Sequence, residues 1–222
     1  TGVGFRLGFV VIQTAGDISN FFSNIWPISF FSFEDLRLFF SLVLIAISCI
    51  IMGAGIPTTA TYIILVAVAA PALAQLGIEP LVAHFFVFYY GVLADITPPV
   101  ALAAYAASGI AKSNPFRTGN TAFRLGIAKA LVPFVFVYSP SLLLITGEFQ
   151  TNQLIITLIG TLIGIALIGI AFSGFWLRPL MKYEQIFVGV GSLFFVAPGI
   201  GSMVIGIIII LPILFLQFYK KN

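Results

Sequence analysis

Long apolar runs follow one another along most of the chain, separated by short polar segments. Six of these runs are long enough to predict helices that span or enter a membrane. They lie at residues 36–56, 59–76, 81–111, 130–145, 154–177 and 187–218. Residues 1–33 mix apolar and polar positions, and we interpret them as the end of a membrane helix followed by an interfacial segment that carries Trp26. The pattern predicts an all-α integral membrane protein.

The composition agrees with a bilayer environment. Hydrophobic residues make up 60% of the chain and charged residues 8%, whereas soluble domains average about 45–50% apolar and about 25% charged. The net charge of +3 is spread over loops, which indicates topology and argues against nucleic-acid binding. A single cysteine, Cys49, and a single histidine, His84, exclude a disulfide framework, a cysteine-based metal site and the HExxH zinc motif within the chain. No set of His, Cys and Asp residues indicates an enzyme.

Basic residues predict the orientation of the helices. The segment between residues 111 and 130 contains four basic residues and no acidic one, so we expect a cytoplasmic loop there. The loop with Glu148 is then outside, and the loop at residues 178–184 and the C-terminal lysine pair are inside. Because both ends of the run at 187–218 lie inside, we expect a helical hairpin, broken at Pro198-Gly199-Ile200-Gly201.

The first functional break is the segment GAGIPTTAT at residues 53–61. Glycine lets the backbone leave helical geometry, and proline removes an N–H donor. The helix before such a break ends with free carbonyls, and the helix after it starts with free N–H groups. Carbonyls and threonine hydroxyls can bind a cation, and free N–H groups at a helix start favour a carboxylate.

The second break is the segment ADITPPV at residues 94–100, in the middle of the run at 81–111. That run has about 31 residues, roughly 46 Å as a straight helix at about 1.5 Å per residue, against a hydrocarbon core of about 30 Å. We therefore predict two half-helices joined by an unwound loop at membrane depth. Such backbone persists only inside protein or beside a wet cavity. Discontinuous helices of this kind point to the binding site of a secondary transporter.

Asp95 adds a carboxylate to the second break. A charged side chain within a span costs a few kcal/mol or more unless it is paired or hydrated. Asp95 can help to bind a cation, take up a proton, or pair with a buried base elsewhere in the protein, and the sequence leaves these roles open. A single proline in a membrane helix is commonly only a kink, but two breaks that both combine Gly or Pro with Thr favour a binding site.

Two stretches that contain these breaks resemble the large membrane subunit of TRAP transporters. They are GAGIPTTATYIIL at residues 53–65 and AHFFVFYYGVLADITPPVALAAYAA at residues 83–107. The resemblance is strongest to the fused permeases, in which a four-helix and a twelve-helix part are joined and which work with TAXI-type binding proteins. It extends from residue 1 to about residue 144, and the tail from residue 151 is similar to the extra C-terminal helices of the fused form.

The resemblance implies ATP-independent uptake of an organic acid across the inner membrane of a bacterium or archaeon. A periplasmic TAXI/TRAP-type solute-binding protein would deliver the carboxylate substrate, and Na⁺ would be the coupling ion, with H⁺ as the alternative and no other cofactor. The motion would be elevator-like. The chain starts without Met, so we expect it to be the C-terminal half of the permease, with its partners the N-terminal half and the small four-helix membrane domain.

The resemblance also implies a division of the chain and a set of site residues. Residues 1–35 would precede the transport domain, 36–111 would form its re-entrant hairpin and interrupted helix, 112–150 a basic cytoplasmic loop and the next helix, and 151–222 a C-terminal extension. Ion-binding candidates are Gly53, Gly55, Ala94, Asp95, Thr97 and Val100. Substrate-binding candidates are Pro57, Thr58, Thr59, Pro98 and Pro99.

Two other functions stay open from the sequence. One is a stand-alone ion-coupled dicarboxylate carrier of related architecture, which would need no added binding protein. The other is a membrane anchor subunit without transport activity, which would bind neither ion nor substrate and would have no need for breaks in its helices.

Overall fold

The computed structural model describes residues 3–25, 32–144, 150–197 and 199–219. Within these ranges the chain forms α-helices and short 3₁₀ turns, and no β-strand is present apart from one isolated bridge between Phe175 and Pro179. The helices are α1 Val3–Ile25, α2 Phe33–Gly53, α3 Thr58–Gln75, α4 Pro80–Ala94, α5 Leu102–Ala111, α6 Pro115–Gly126, α7 Val132–Tyr138, α8 Thr151–Ser173, α9 Lys182–Val196 and α10 Ile200–Tyr219. The predicted all-α fold is confirmed.

Five helical segments of the described chain are long and apolar enough to cross a membrane, judged by length and composition. They are Phe33–Gly53, Thr58–Gln75, Pro115–Tyr138, Thr151–Ser173 and Ile200–Tyr219. Large apolar side chains are exposed along these helices, as at Ile63, Leu162 and Ile208. Such surfaces are stable in lipid and unfavourable in water, so the fold is that of an integral membrane protein.

The chain divides into two compact units, Thr1–Gly119 and Asn120–Asn222. In the first unit, α2 and α3 form a hairpin, and α1 and α4 each pack against both of its arms. Ser32 caps α2 by accepting a hydrogen bond from the Asp35 N–H at 3.1 Å, and the Asp35 carboxylate accepts one from the Ser32 N–H in return. The core of this unit includes Leu42, Leu73 and Phe86, which are fully buried.

In the second unit, α9 packs against both α8 and α10. Small residues let these helices approach closely, because a Cβ at Gly164 would lie 2.6 Å from the Val196 side chain and one at Gly191 would lie 2.6 Å from Ile210. The core contains apolar side chains from all three helices and from the α8–α9 loop, including Leu167, Leu180, Val188, Phe195 and Ile213.

The predicted break near residue 198 is confirmed, since α9 ends at Val196 and α10 starts at Ile200. Gly199 between them has φ +100°, in the left-handed region that favours glycine. Pro198 itself, Trp26, Glu148 and the C-terminal lysine pair lie outside the described residues, so the expectations that rest on them are not addressed by the fold.

The segment expected as the end of a membrane helix and an interfacial segment is helical from Val3 to Ile25, where the Ser19 hydroxyl donates to the Ala15 carbonyl at 2.7 Å. Its place at a membrane interface stays a prediction. One expectation further along the chain is wrong, because the basic segment expected as a loop forms α6. Its N-terminus is capped by Asn114, whose side chain accepts a hydrogen bond from the Arg117 N–H at 3.0 Å, with Pro115 at the first helical position.

The predicted helix at 130–145 is also wrong in its continuity. A 3₁₀ turn at Ile127–Leu131 leads into α7, which ends at Tyr138, and a second 3₁₀ turn occupies Pro140–Leu143. Pro140 has no N–H for an α-helical hydrogen bond, and Ser139 before it adopts φ −142°, which ends the helix there. Further along, α8 stops at Ser173 instead of residue 177, because Gly174 adopts a left-handed conformation with φ +73°.

Candidate functional site

The tip of the α2–α3 hairpin is a short non-helical segment between Gly53 and Thr58. The Ala54 N–H donates to the Ile51 carbonyl at 3.4 Å, and the Ile56 N–H donates to the Gly53 carbonyl at 3.3 Å. Gly55 has φ +84°, a conformation that a residue with a Cβ rarely adopts. The predicted break at this position is therefore confirmed, with glycine where the backbone requires it.

Thr61, on the first turn of α3, forms hydrogen bonds with two residues of the hairpin tip. Its hydroxyl donates to the Ile56 carbonyl at 3.0 Å, and its N–H donates to the Pro57 carbonyl at 2.9 Å. The side chain is buried, with its methyl group against the positions of Gly53 and Gly91. One side chain thus joins the hairpin tip to α4.

The second break lies between α4, which ends at Ala94, and α5, which starts at Leu102. The Thr97 N–H donates to the Ala94 carbonyl at 3.1 Å, and the Thr97 hydroxyl donates to the Leu93 carbonyl at 2.7 Å. The Ala101 N–H then donates to the Thr97 carbonyl at 3.2 Å. The expected pair of half-helices with an unwound connection is confirmed.

The connection ends at an unusual backbone conformation. Ala101 is fully buried and has φ +36° and ψ +50°, a left-handed geometry that is strained for a residue with a Cβ. It is held between two hydrogen bonds, because its N–H donates to Thr97 and its carbonyl accepts from the Tyr105 N–H at 2.9 Å. Strain of this kind persists only where the surroundings fix the chain, and it is concentrated at functional loops.

The two breaks lie against each other. A Cβ placed on Gly53 would lie 3.0 Å from the Ala94 Cβ and 2.9 Å from the Thr61 methyl group. A Cβ placed on Gly55 would lie 3.2 Å from a methyl group of Val100. The hairpin tip therefore meets both ends of the second break, and Thr97 lies between these two ends in the chain.

The predicted site residues differ in burial. Gly53 and Ala94 are buried, where the two breaks meet. Asp95, Thr97, Pro98 and Val100 are half-buried, and the exposed members are Gly55, Pro57, Thr58, Thr59 and Pro99. The two buried members make the contact between the breaks. The threonines predicted to bind substrate are exposed and accessible to a ligand.

Oxygen atoms dominate the chemistry of this region. No group of three or more His, Cys, Asp or Glu side chains in the described part of the chain is placed to hold a metal ion. Carbonyl and hydroxyl oxygens with one carboxylate remain, a set that suits a hard cation. The Asp95 carboxylate has no hydrogen bond or ion pair with any described residue.

Sequence reasoning missed three residues that shape the site. Thr61 lies in the same segment as Thr58 and Thr59 but was not among the predicted site residues. It is buried, whereas Thr58 and Thr59 are exposed. Gly91 leaves room for the Thr61 methyl group, since a Cβ placed on Gly91 would lie 3.3 Å from it, and a glycine one turn before a break was the available signal. Tyr105 donates from its hydroxyl to the Pro99 carbonyl at 2.6 Å, which no sequence pattern indicated.

Comparison with known protein families finds a match over the part of the chain that contains both breaks. The family model described as "Tripartite ATP-independent periplasmic transporter, DctM component" matches residues 1–151, a range that includes the hairpin, the interrupted helix and the loop between them. No curated protein and no solved structure matches the chain. Because the family match covers more than half of the chain, this protein belongs to the DctM family, the large permease component of TRAP transporters, which are secondary transporters.

Proposed function

We propose that this chain carries a coupling-ion site and part of the substrate site of a TRAP permease that takes up an organic acid. The family is one of transporters, and its members generally work with a periplasmic binding protein and a small membrane subunit. The observation that carries the proposal is the contact between the two breaks, at Gly53 with Ala94 and at Gly55 with Val100.

The coupling ion in this proposal is Na⁺. Carbonyls of Gly53, Ala94 and Val100 and the hydroxyl of Thr97 supply the ligands. The Thr97 hydroxyl uses its proton on the Leu93 carbonyl at 2.7 Å, so its oxygen lone pairs are directed elsewhere and can accept a cation. Hard cations take oxygen ligands of this kind. The close approach of Gly53 to Ala94 supports a site shared by both breaks.

The substrate carboxylate would bind at the start of α3. Pro57 precedes the helix and provides no side-chain cap, so the first N–H groups of an 18-residue helix have no capping partner there. Thr58 and Thr59 are exposed on that first turn. The positive end of the helix dipole adds to their hydroxyls, and together they favour an anion.

Coupling then requires that ion binding changes the affinity for substrate. The hairpin tip carries ligands of both kinds, since Gly53 and Thr58 lie at its two ends. An ion that fixes the tip against α4 also fixes the start of α3, so the ordered tip binds substrate with higher affinity, and the reverse effect follows by linkage. The full transporter would move this assembly across the bilayer in an elevator-like step.

Protons are the alternative coupling ion, and one observation supports this alternative. Asp95 lies next to Ala94 at the second break, and its carboxylate has no partner among the described residues. A carboxylate there can take part in cation binding or carry a proton. In the first role an imposed Na⁺ gradient drives uptake, and in the second role an imposed pH gradient does.

The test uses the full-length protein with its binding protein and membrane partners in proteoliposomes. We expect uptake driven by an inward Na⁺ gradient at constant pH, and Thr97→Ala to raise the Na⁺ concentration for half-maximal uptake about 5- to 10-fold, with Thr97→Ser close to wild type. Asp95→Asn distinguishes Na⁺ from H⁺ as the coupling ion. Proton coupling is identified if a pH gradient alone drives uptake by the wild type and this uptake is abolished in Asp95→Asn. Wild-type Na⁺ dependence in Thr97→Ala would remove Thr97 from the site.

A further inference from the structure

The loop of the second break has few backbone N–H groups with which to form hydrogen bonds. Pro98 and Pro99 have no N–H, so the middle of the loop cannot donate backbone hydrogen bonds and only its carbonyls can tie it down. At the two ends, backbone bonds hold the chain, since Ala103 N–H donates to the Asp95 carbonyl at 3.1 Å and Ala101 N–H to the Thr97 carbonyl at 3.2 Å. The middle of the loop needs a donor from outside it.

Tyr105 supplies that donor. Its hydroxyl donates to the Pro99 carbonyl at 2.6 Å, in the middle of this loop. Pro99 is followed at once by Val100, whose side chain faces the Gly55 position of the hairpin tip. The hydroxyl therefore fixes the loop one residue before the point at which the two breaks meet.

The ring of Tyr105 is itself held by α6. A Cβ placed on Gly119 would lie 2.9 Å from Cε1 of Tyr105 and 3.5 Å from the Cβ of Ala101. Gly119 is therefore the position at which the polar helix α6 approaches both the tyrosine and the strained residue of the loop. A larger residue there would have to displace the ring, because the ring is the closest group.

We propose that Tyr105 is a positioning residue for the coupling-ion site, and that Gly119 of α6 keeps its ring in place. Tyr105 touches neither ion nor substrate. It acts through the Pro99 carbonyl, and so holds the Val100 carbonyl and the Thr97 hydroxyl in the arrangement that the ion requires. This inference rests on the proposed function, because it assigns Tyr105 to the Na⁺ site described above.

The experiment needs no knowledge of the substrate. Thermal unfolding of the purified full-length protein is followed while Na⁺ replaces choline at constant ionic strength, and the readout is the Na⁺ concentration at which stabilisation sets in, which equals the dissociation constant for Na⁺. We expect Tyr105→Phe to raise this concentration about 3- to 10-fold, as loss of one hydrogen bond predicts.

Gly119→Ala provides a second, independent variant. It leaves the tyrosine hydroxyl intact and displaces the ring, so it should shift the Na⁺ concentration in the same direction, and the double variant should show less than the sum of the two shifts. Gly109→Ala is the matched control on α5, since a Cβ there meets no atom within 4 Å. Tyr183→Phe, an exposed tyrosine of α9, is the control for loss of a hydroxyl.

The outcomes separate the two proposals. A wild-type protein that Na⁺ does not stabilise overturns the proposed ion site, and the role of Tyr105 with it. A wild-type response that Thr97→Ala weakens, with Tyr105→Phe and Gly119→Ala both at the wild-type concentration, preserves the ion site and overturns the role of Tyr105. A lower unfolding temperature in Tyr105→Phe without a change in the Na⁺ concentration shows a merely structural role and also overturns it.

Discussion

Each compact unit contains a helical hairpin with glycine at its tip, and the surroundings of the two tips differ. At the α2–α3 tip, Gly53 and Gly55 lie against Ala94 and Val100 of the second break. At the α9–α10 tip, a Cβ on Gly199 or Gly201 would meet no described atom within 4 Å. A break in a membrane helix is common, so the feature that indicates a binding site is a second break packed against the first.

The two units also treat charge differently. In the first unit, the Asp95 carboxylate has no partner among the described residues. In the second, the fully buried Glu184 accepts hydrogen bonds from Arg178 at 2.6 and 3.2 Å, from the Met181 N–H at 2.8 Å and from the Gln217 amide at 3.2 Å. The first arrangement leaves capacity for a ligand, and the second joins the α8–α9 loop, α9 and α10 into one structure.

The largest expected effect is therefore on stability, in the second unit. Glu184→Gln removes the negative charge and leaves the Arg178 guanidinium, which is only 16% exposed, without its counter-ion. We expect the free energy of unfolding to fall by about 3 kcal/mol, since breaking one side of a buried pair leaves an uncompensated charge. Denaturant titration of the purified protein measures this loss.

Glu34→Gln is the matched control, because its pair with Arg37 spans 3.6 Å and the glutamate side chain is 75% exposed. Exposed pairs contribute little, so this variant should unfold as wild type does. Equal losses in Glu34→Gln and Glu184→Gln would contradict the assignment of the buried network as the stabilising one.

The same network predicts a dependence on pH. Burial by itself raises the pKa of Glu184. Hydrogen bonds from Arg178, Met181 and Gln217, together with the charge of Arg178, lower this pKa by more than burial raises it, so the pKa lies below its usual value. Because the folded-state pKa is depressed, this stabilisation is present above the unfolded glutamate pKa of about 4.3 and is lost as the pH falls through the folded value. Wild type and Glu184→Gln should therefore converge in stability as the pH falls through the folded-state pKa of Glu184, whereas curves that stay parallel would contradict the depressed pKa.

The second largest effect tests the contact between the breaks. Gly53→Ala would place a methyl group within 3.0 Å of Thr61 and Ala94 and should force the hairpin tip away from α4. We expect transport by the full-length protein to fall about 10- to 100-fold, as misplacement of ligands by about 1 Å does in catalytic sites. Gly201→Ala, at the open tip of the other hairpin, should transport normally. Normal uptake by Gly53→Ala would show that the contact is not required.

A smaller effect is expected at Thr61, which closes the first tip with a hydrogen bond to the Ile56 carbonyl at 3.0 Å. Thr61→Val keeps the buried shape and removes the bond, so uptake should fall about 3- to 10-fold. Thr61→Ser keeps the bond and removes the methyl group that lies against Gly53. If the hydroxyl holds the tip, Ser is the milder change, and the opposite order would assign the role to the methyl group.

The sequence predicted the breaks because glycine and proline act locally. Gly55 permits the left-handed backbone at the first tip, and the Pro98-Pro99 pair removes two successive N–H donors, which disfavours regular helix. The sequence could not predict Tyr105, since its hydrogen bond to Pro99 depends on how the loop folds back over α5. It also failed at α6, where a run of basic residues was interpreted as a loop although Asn114 and Pro115 form a helix start. Local chemistry was readable, and contacts set by packing were not.

The smallest expected effect concerns a second link between the hairpin and α4, made by Tyr62, the residue after Thr61. The Tyr62 hydroxyl and Nδ1 of His84 are 2.7 Å apart, and the Tyr62 ring also meets Phe88 edge-on at 5.9 Å. Tyr62→Phe removes the hydrogen bond and keeps the ring contact, so the free energy of unfolding should fall by about 0.5–1.5 kcal/mol. If this bond only holds α3 on α4, the Na⁺ concentration at which stabilisation sets in stays unchanged, in contrast to Thr97→Ala. A shift in that concentration would instead extend the ion site along the whole α3–α4 interface, and the contact between the breaks would no longer distinguish the first hairpin from the second.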